Sequence, residues 1–398
     1  MKRALLLLLL ISISFCTPFG NATVAIERQW VLTGEPTEIN FTGMLVLNNP
    51  NQQVLEAVAD QPLELRSEGD KIFVVYNGPF DGNMSYKAHA VVRIDYNTNI
   101  TRDEPLPTEP IVGTDLVKWD DSIHAAALGA ADSQSSLKTI AAVSNWVSNY
   151  LTYDLSYFGL SKSAIETMQE KRGVCVEHTH LLIAMLNSLG FKTRYVGGYA
   201  MSTEWQPHSW AEVYIDNQWV PVDATFREAG IMDSNHVALS YGNDASDIYE
   251  KVMTYRDTKI NADTQLTVLD ESENAKGIET TAAFDTGTNT ATVLISNTRS
   301  DYVFGSYLLL VPPEYGGEKR QVLLLQPYGS YKDYVVFPLS LFKEGYSYSI
   351  PLQASFNDAT AIESIEITRQ KQNEDVKNCN SSAVMLIVAL AAFAFSKF

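Results

Sequence analysis

Residues 172–180, RGVCVEHTH, place one cysteine close to two histidines. A thiol with such neighbours can be a nucleophile, a metal ligand or a buried group with polar neighbours, and the spacing alone allows all three. The chain has three cysteines. Because Cys16 lies in an N-terminal apolar segment and Cys379 in a polar segment near the C-terminus, Cys175 is the only cysteine of the predicted folded body.

The segments around Cys175 predict three helices. Residues 136–151 place apolar side chains on one face at helical spacing, and a capping box at Ser163 opens a short helix toward Cys175. Residues 176–190 predict a third helix that ends at a glycine. Cys175 is therefore expected at a helix N-terminus, where the partial positive charge of the helix stabilises a thiolate.

A β-hairpin is predicted where residues 208–215 and 218–225 flank a two-residue Asp-Asn turn. Alternation then puts His208 and Asp223 on one face as diagonal neighbours, at ~7–8 Å between backbones. That face is expected to look into a cleft, because the opposite face is uniformly apolar and suits the core. In this arrangement Asp223 orients His208, which takes the thiol proton of Cys175.

Two other interpretations of Cys175 were weighed against a triad. His178 and His180 follow it on the same helix, three and five positions on, and are expected to point away from it. Zinc would need these histidines with Cys175 and His208, but the paired spacing of structural zinc ligands is missing. A core thiol would explain Cys175 but not the facing pair of His208 and Asp223.

The two blocks GVCVEHTHLLIAMLNSLGFKTRYVGGY and HSWAEVYIDNQWVPVDATF resemble the transglutaminase-like superfamily, whose core is similar to papain-like cysteine proteases. The resemblance covers about residues 135–226. It implies that Cys175 is the nucleophile, His208 the base and Asp223 the orienting acid. It also implies acyl transfer through a thioester at a glutamine side chain or peptide bond, with amine or water as acceptor. No cofactor is expected.

Oxyanion stabilisation needs hydrogen-bond donors near the sulfur. The backbone N–H of Cys175 is one candidate, and Trp146, Tyr153 and Tyr157 are the side-chain candidates. Trp146 fits the core face of its helix equally well. Glu177 is expected to support the helix start and is given no catalytic role.

The rest of the chain is predominantly strand-like and predicts an α+β protein. Its papain-like or transglutaminase-like core is expected to be flanked by N-terminal and C-terminal β-sandwich domains. The predicted divisions are a β-rich domain at 23–96, a proline-rich linker at 97–110, the catalytic core at 111–262 and a sandwich of immunoglobulin type at 263–370.

Both ends of the sequence predict export. Residues 1–22 have the layout of a signal peptide, and residues 371–382 form a polar spacer before a hydrophobic C-terminal anchor at 383–398. We therefore expect an exported, membrane-anchored cell-surface glycoprotein. The candidate N-glycosylation sites are Asn40, Asn83, Asn99 and Asn380.

Charge narrows the class of partner. The chain has 47 acidic and 29 basic side chains and a formal net charge of -18, which disfavours nucleic acid. The prediction is a cell-surface cysteine acyltransferase or hydrolase that acts on protein or peptide amides and binds the membrane through its C-terminal tail. The alternative is a non-catalytic surface binding module or envelope scaffold with a vestigial triad.

Overall fold

The computed structural model describes residues 20–248, 251–254, 256–272 and 277–370. It confirms the predicted α+β class, with a helix-bearing core unit between two β-sandwiches.

The N-terminal part consists of strands whose side chains alternate between buried and exposed positions. In the first strand every second residue from Ala22 to Leu32 is buried, as expected for strands with one face on a core. The strands are β1 Asn21–Gly34, β2 Thr37–Leu47, β3 Gln52–Ala59, β4 Glu64–Glu68, β5 Lys71–Phe80 and β6 Asn83–Asp95.

The core unit combines four helices with short and long strands. Its elements are α1 Asp121–Ala130, α2 Ser136–Tyr150, β7 Thr152–Tyr153, α3 Ala164–Glu170, β8 Arg172–Gly173, α4 Cys175–Ser188, β9 Thr193–Met201, β10 Trp205–Ile215, β11 Gln218–Asp223, β12 Glu228–Ala229 and β13 His236–Gly242. The three predicted helices are confirmed as α2, α3 and α4, and the capping box of Ser163 with Glu166 is present. Helix α1, capped by Asp120, was not predicted.

The remaining strands follow after residue 250. They are β14 Lys251–Thr254, β15 Thr258–Ser272, β16 Ile278–Asp285, β17 Thr290–Asn297, β18 Val303–Leu310, β19 Glu318–Leu325, β20 Ser330–Val336, β21 Tyr346–Phe356 and β22 Ala359–Arg369. Strands β16, β17 and β20 form one sheet, and β19, β18, β21 and β22 form the other. Seven strands are thus divided over two sheets, as in a β-sandwich.

One predicted boundary differs from the structure. Strand β15 pairs with β1 along its whole length and β14 pairs with β2, so both complete the N-terminal sandwich. The predicted division at residue 262 falls inside β15. The alternating pattern of β15 is the same for either sandwich, and only the tertiary pairing distinguishes them.

The five-stranded sheet β12-β11-β10-β9-β13 positions the site. Apolar side chains of α4 cover one face and share a core with Ala211 and Val213. The N-terminal sandwich covers the other face and packs against Trp210, Val196 and Val237. The sheet is therefore buried on both faces.

Several predictions on the chain ends lie partly or wholly outside the described residues. Of the predicted signal segment 1–22, residues 20–22 are described, and Asn21 and Ala22 already belong to β1. The spacer 371–382, the anchor 383–398 and Asn380 lie outside. The side chains of Asn40, Asn83 and Asn99 are exposed. No helix within the described ranges is long and apolar enough to cross a membrane.

Candidate active site

Helix α4 begins at Cys175, as predicted, and its start is held by Glu177. The Glu177 carboxylate accepts hydrogen bonds from the backbone N–H groups of Val174, at 2.9 Å, and Lys162, also at 2.9 Å. A side chain in place of Gly173 would collide with Glu177, since a Cβ there would lie 2.2 Å from the Glu177 Cβ. Glu177 therefore has the supporting role predicted for it, and the glycine before Cys175 makes room for it.

The hairpin has the predicted register and brings His208 to Asp223. Strands β10 and β11 pair Ile215 with Gln218 and Ala211 with Val222. The His208 Nε2 lies 2.6 Å from the Asp223 Oδ2. The expectation of an open cleft on this face was wrong, because the N-terminal sandwich covers it and Asp223 is only 1% exposed.

Cys175 faces the imidazole of His208. Because Nε2 of His208 bonds to Asp223, Nδ1 is the ring nitrogen available to the thiol. Burial alone raises the pKa of the Cys175 thiol, but the hydrogen bond and charge of His208 and hydrogen bonds from Ser209 lower this pKa overall. Burial lowers the pKa of His208, but Asp223 and Cys175 raise it to about 9. These opposite shifts favour a thiolate–imidazolium pair near neutral pH.

The Asp223 carboxylate is fully engaged by four donors. Its Oδ1 accepts the backbone N–H groups of Thr225, at 2.6 Å, and Phe226, at 3.1 Å. Its Oδ2 faces the Nε2 atoms of His208 and, at 3.3 Å, His236. Burial raises the pKa of Asp223, but the two histidines keep it well below its ordinary value. Asp223 is therefore a carboxylate, as an orienting acid must be.

His236 is a residue of the site that sequence reasoning missed. It is the first residue of β13, on the edge of the sheet, and its side chain is completely buried. Its Nδ1 lies 2.8 Å from the Asp233 Oδ1, while Glu228 accepts the backbone N–H of Asp233 at 3.0 Å. The only sequence signal was an Asp and a His three positions apart in DSNH, which does not by itself point to Asp223.

The histidines of α4 do not join the triad. The Nδ1 of His178 bonds to the backbone oxygen of Val174, and the Nδ1 of His180 to that of Lys162. The Nε2 of His180 accepts the backbone N–H of Ala245 at 3.3 Å. Burial lowers the pKa of both rings. The zinc alternative, which required these rings beside Cys175 and His208, has no support in this arrangement.

The three oxyanion candidates separate clearly. Trp146 packs against the helical core and stacks on Tyr150 with ring centroids 4.3 Å apart. The Tyr157 hydroxyl donates to Glu170 at 2.5 Å. Tyr153 is half exposed, and burial with the nearby charges of Cys175 and Asp223 raises its pKa to about 12. Tyr153 is therefore the candidate of the three whose pKa responds to the charge of Cys175, and its hydroxyl is neutral and able to donate.

A cavity of about 880 Å³ lies between the N-terminal sandwich and the far end of the same sheet. Met44 and Phe73 of the sandwich and Trp219 and Tyr241 of the core unit contribute to its lining. None of the triad residues lines it. The cavity is therefore not the entrance to Cys175.

The comparisons with known proteins agree on this unit. The family model of the transglutaminase-like superfamily matches residues 124–224, which include Cys175, His208 and Asp223. An uncharacterized protein of Mycobacterium leprae is 26% identical over 120 residues, which are 28% of this chain. The match spans 42% of that relative's length.

A solved structure has a similar fold. A protein of Cytophaga hutchinsonii, named as a candidate cysteine protease, has a TM-score of 0.50 at 21% identity over 64% of this chain and 93% of its own. The alignment with the transglutaminase of red sea bream covers 89% of this chain and 81% of that protein, at 9% identity and a TM-score of 0.24. With its cysteine, histidine and aspartate blocks inside the matched segment, residues 124–224 form a domain of the transglutaminase-like superfamily.

Proposed function

We propose that this protein is a cysteine acyltransferase or hydrolase that acts on protein or peptide amides through Cys175, His208 and Asp223. The observation that carries the proposal is the geometry of the three side chains. The thiol lies at the N-terminus of α4 and faces an imidazole whose other nitrogen is 2.6 Å from a buried carboxylate.

The reaction divides into two acyl transfers. The Cys175 sulfur attacks the amide carbon as His208 holds the thiol proton on Nδ1. When the C–N bond breaks, the imidazolium gives this proton to the leaving amine, and a thioester remains on Cys175. An amine or water then attacks the thioester and gives its proton to His208, which returns it to the departing sulfur.

The negative oxygen of each tetrahedral intermediate needs donors in place beforehand. The backbone N–H of Cys175 is in the first turn of α4 and has no carbonyl partner within its helix. The Tyr153 hydroxyl supplies the second hydrogen bond. Because the Tyr153 pKa is raised to about 12, this hydroxyl keeps its proton over the working pH range.

The proposed setting is the cell surface, with attachment through the C-terminal tail. Residues 1–22 and 383–398 support it by their sequence pattern. A chain that lacks residues 383–398 is expected in the medium, whereas the full chain is expected with the cells. Retention of the shortened chain by the cells would refute attachment through this tail.

Activity is tested with the full chain against two matched variants. Incorporation of a labelled primary amine into a glutamine-rich protein and release of peptide fragments are measured in parallel, which separates transfer from hydrolysis. Cys175→Ser should lose both activities. Cys379→Ser, which removes a thiol outside the residues that the structure describes, should retain them.

The reactivity of the thiol distinguishes the enzyme from the non-catalytic alternative. If the triad is active, iodoacetamide should alkylate Cys175 faster than it alkylates a free thiol at neutral pH, and mass spectrometry of the peptide that contains Cys175 locates the label. A thiol no faster than a free one, together with no amide chemistry, would identify a binding module with a vestigial triad.

A further inference from the structure

His236 lies directly behind the carboxylate that orients the catalytic histidine. Its ring centroid is 5.5 Å from that of His208, and its Nε2 is 3.3 Å from the Asp223 oxygen that bonds to His208. On its other side Nδ1 is 2.8 Å from Asp233. The chain of contacts therefore runs from Cys175 through His208, Asp223 and His236 to Asp233.

Both ring nitrogens of His236 face carboxylate oxygens. An ionised carboxylate only accepts hydrogen bonds, so each nitrogen must carry a proton for both contacts to be hydrogen bonds. A neutral imidazole has a proton on one nitrogen only. With both carboxylates ionised, the two contacts place a buried imidazolium between Asp223 and Asp233.

The surroundings of His236 supply the compensating charge. Burial lowers the pKa of His236, but Asp233 and Asp223 raise it well above its ordinary value. Burial and Asp233 raise the pKa of Glu228 well above its usual range, so this carboxyl is held neutral. The Tyr96 hydroxyl donates to the backbone oxygen of His236 at 3.2 Å and does not approach the ring nitrogens.

We infer that His236 is a positioning residue. Its imidazolium fixes the Asp223 carboxylate and offsets part of the effect of the negative charge of Asp223 on His208. It thereby sets the pH range in which Cys175 reacts. The inference rests on the proposed function of the triad. It adds a second histidine, 28 residues after the first along the chain (236 minus 208), that acts only through Asp223.

The electrostatic consequence has a definite sign. A cation near Cys175 and His208 favours the thiolate and disfavours the imidazolium, so it lowers the pKa of both groups. Replacing His236 by a neutral residue should move both limbs of the pH–reactivity profile to higher pH. For a charge at this separation the shift is about one unit, or about tenfold in rate at a pH on the limb.

The test is the pH profile of Cys175 alkylation by iodoacetamide, measured on the full chain and located by mass spectrometry. His236→Gln removes the charge and retains a hydrogen-bond donor. His180→Gln is the matched control, because His180 is equally buried in the same unit but bonds only to backbone groups. Upward shifts of both limbs in His236→Gln and none in His180→Gln are expected.

Unchanged limbs in a folded His236→Gln protein would overturn the inference and leave the triad proposal intact. A wild-type thiol that is inert and indifferent to His208→Ala would overturn the proposed function instead. These two failures are therefore distinguishable.

A second measurement uses the unaltered protein and does not depend on the variant folding. In a ¹⁵N-histidine NMR spectrum at pH 8, His236 should show two protonated ring nitrogens. A ring with one unprotonated nitrogen would refute the buried imidazolium. So would a divalent metal found at one equivalent per chain and lost in His236→Gln.

Discussion

Four buried histidines of the core unit form two contrasting pairs. His178 and His180 on α4 and His208 and His236 on the sheet are all buried. The helix pair bonds to backbone groups and burial lowers its pKa values, whereas the sheet pair bonds to carboxylates that raise the pKa of His208 to about 9 and that of His236 further above its ordinary value. Burial acts on all four alike, so the partner decides which histidines carry charge.

This contrast separates closeness in sequence from closeness in the site. The helix pair follows Cys175 within five residues, yet its ring nitrogens serve the packing of α4. The sheet pair lies more than 30 residues away, and the folded sheet brings His208 to the thiol and His236 to Asp223. The sheet therefore brings together His208, Asp223 and His236, whereas the helix contributes Cys175.

Of the two histidines on the sheet, His208 should have the larger effect on acyl transfer when it is replaced. His208→Ala and Cys175→Ser should each reduce acyl transfer by about 10⁵-fold or to the assay background, and the double variant should be no worse, because nucleophile and base act as a unit. Single-turnover thioester formation measures this. Additive losses in the double variant would contradict a shared step.

Replacing Asp223 should reduce both the activity and the free energy of unfolding. Asp223→Ala should retain a residue of activity, about 10⁴-fold below wild type, because the carboxylate orients His208 without transferring the proton. It should also lower the free energy of unfolding by about 3–5 kcal/mol, since it removes the buried carboxylate between the two histidines and leaves the backbone N–H groups of Thr225 and Phe226 without their acceptor. Denaturant unfolding measures the second effect. A cleft-facing carboxylate would have left stability nearly unchanged, and that result would contradict the burial described here.

Tyr153, the proposed oxyanion donor, lies beside a histidine of the helix pair, since its ring centroid is 6.0 Å from that of His178. Tyr153→Phe should reduce acyl transfer by about 10²-fold, as expected for loss of one oxyanion donor. Alkylation of Cys175 by iodoacetamide forms no oxyanion, so its rate should change little. Equal losses in both assays would assign Tyr153 to folding.

The raised pKa of His208 predicts a stability change with pH. A histidine whose pKa is about 9 when folded and about 6.5 when unfolded contributes stability that is fully present below pH 6.5 and lost as pH rises through 9. The contribution is at most about 3 kcal/mol. The Cys175→Ser protein excludes the thiolate and keeps the part of the rise in the His208 pKa that Asp223 causes. Its unfolding is compared with that of Cys175→Ser/His208→Gln at pH 6 and pH 9.5. The difference between the two proteins should shrink at the higher pH, and a constant difference would contradict it.

The sequence pattern predicted those parts of the site whose backbone geometry depends on residues close together in the chain. The capping signal before α3, the apolar faces of α2 and α4 and the two-residue turn after Ile215 each fix a backbone geometry within a few residues. From these alone, Cys175 is placed at a helix start and His208 beside Asp223. The helix α1 was missed although Asp120 caps it, because its alanine-rich stretch has only a weakly apolar face.

The remaining errors come from contacts between distant segments. Strand β15 has the alternation of any sandwich strand, and its pairing with β1 is not encoded in that alternation. The sandwich covers the His208 face of the sheet, so a face with charged residues became buried. His236 contacts Asp223 although β13 pairs with β9 and is separated from β11 by two strands, so the contact depends on the tertiary structure at this end of the sheet. A sequence pattern specifies none of these neighbours.

The smallest effect on reactivity is expected for the helix pair. His178→Asn and His180→Asn should alter the alkylation rate of Cys175 by no more than about twofold, because neither ring bonds to the thiol, to His208 or to Asp223. Each should lower the free energy of unfolding by about 1–3 kcal/mol, the cost of a buried backbone group left without its hydrogen-bond partner. Alkylation rates and denaturant unfolding are measured on the same samples, so a large rate change without a stability change would place that histidine in the site and abolish the division between the two pairs.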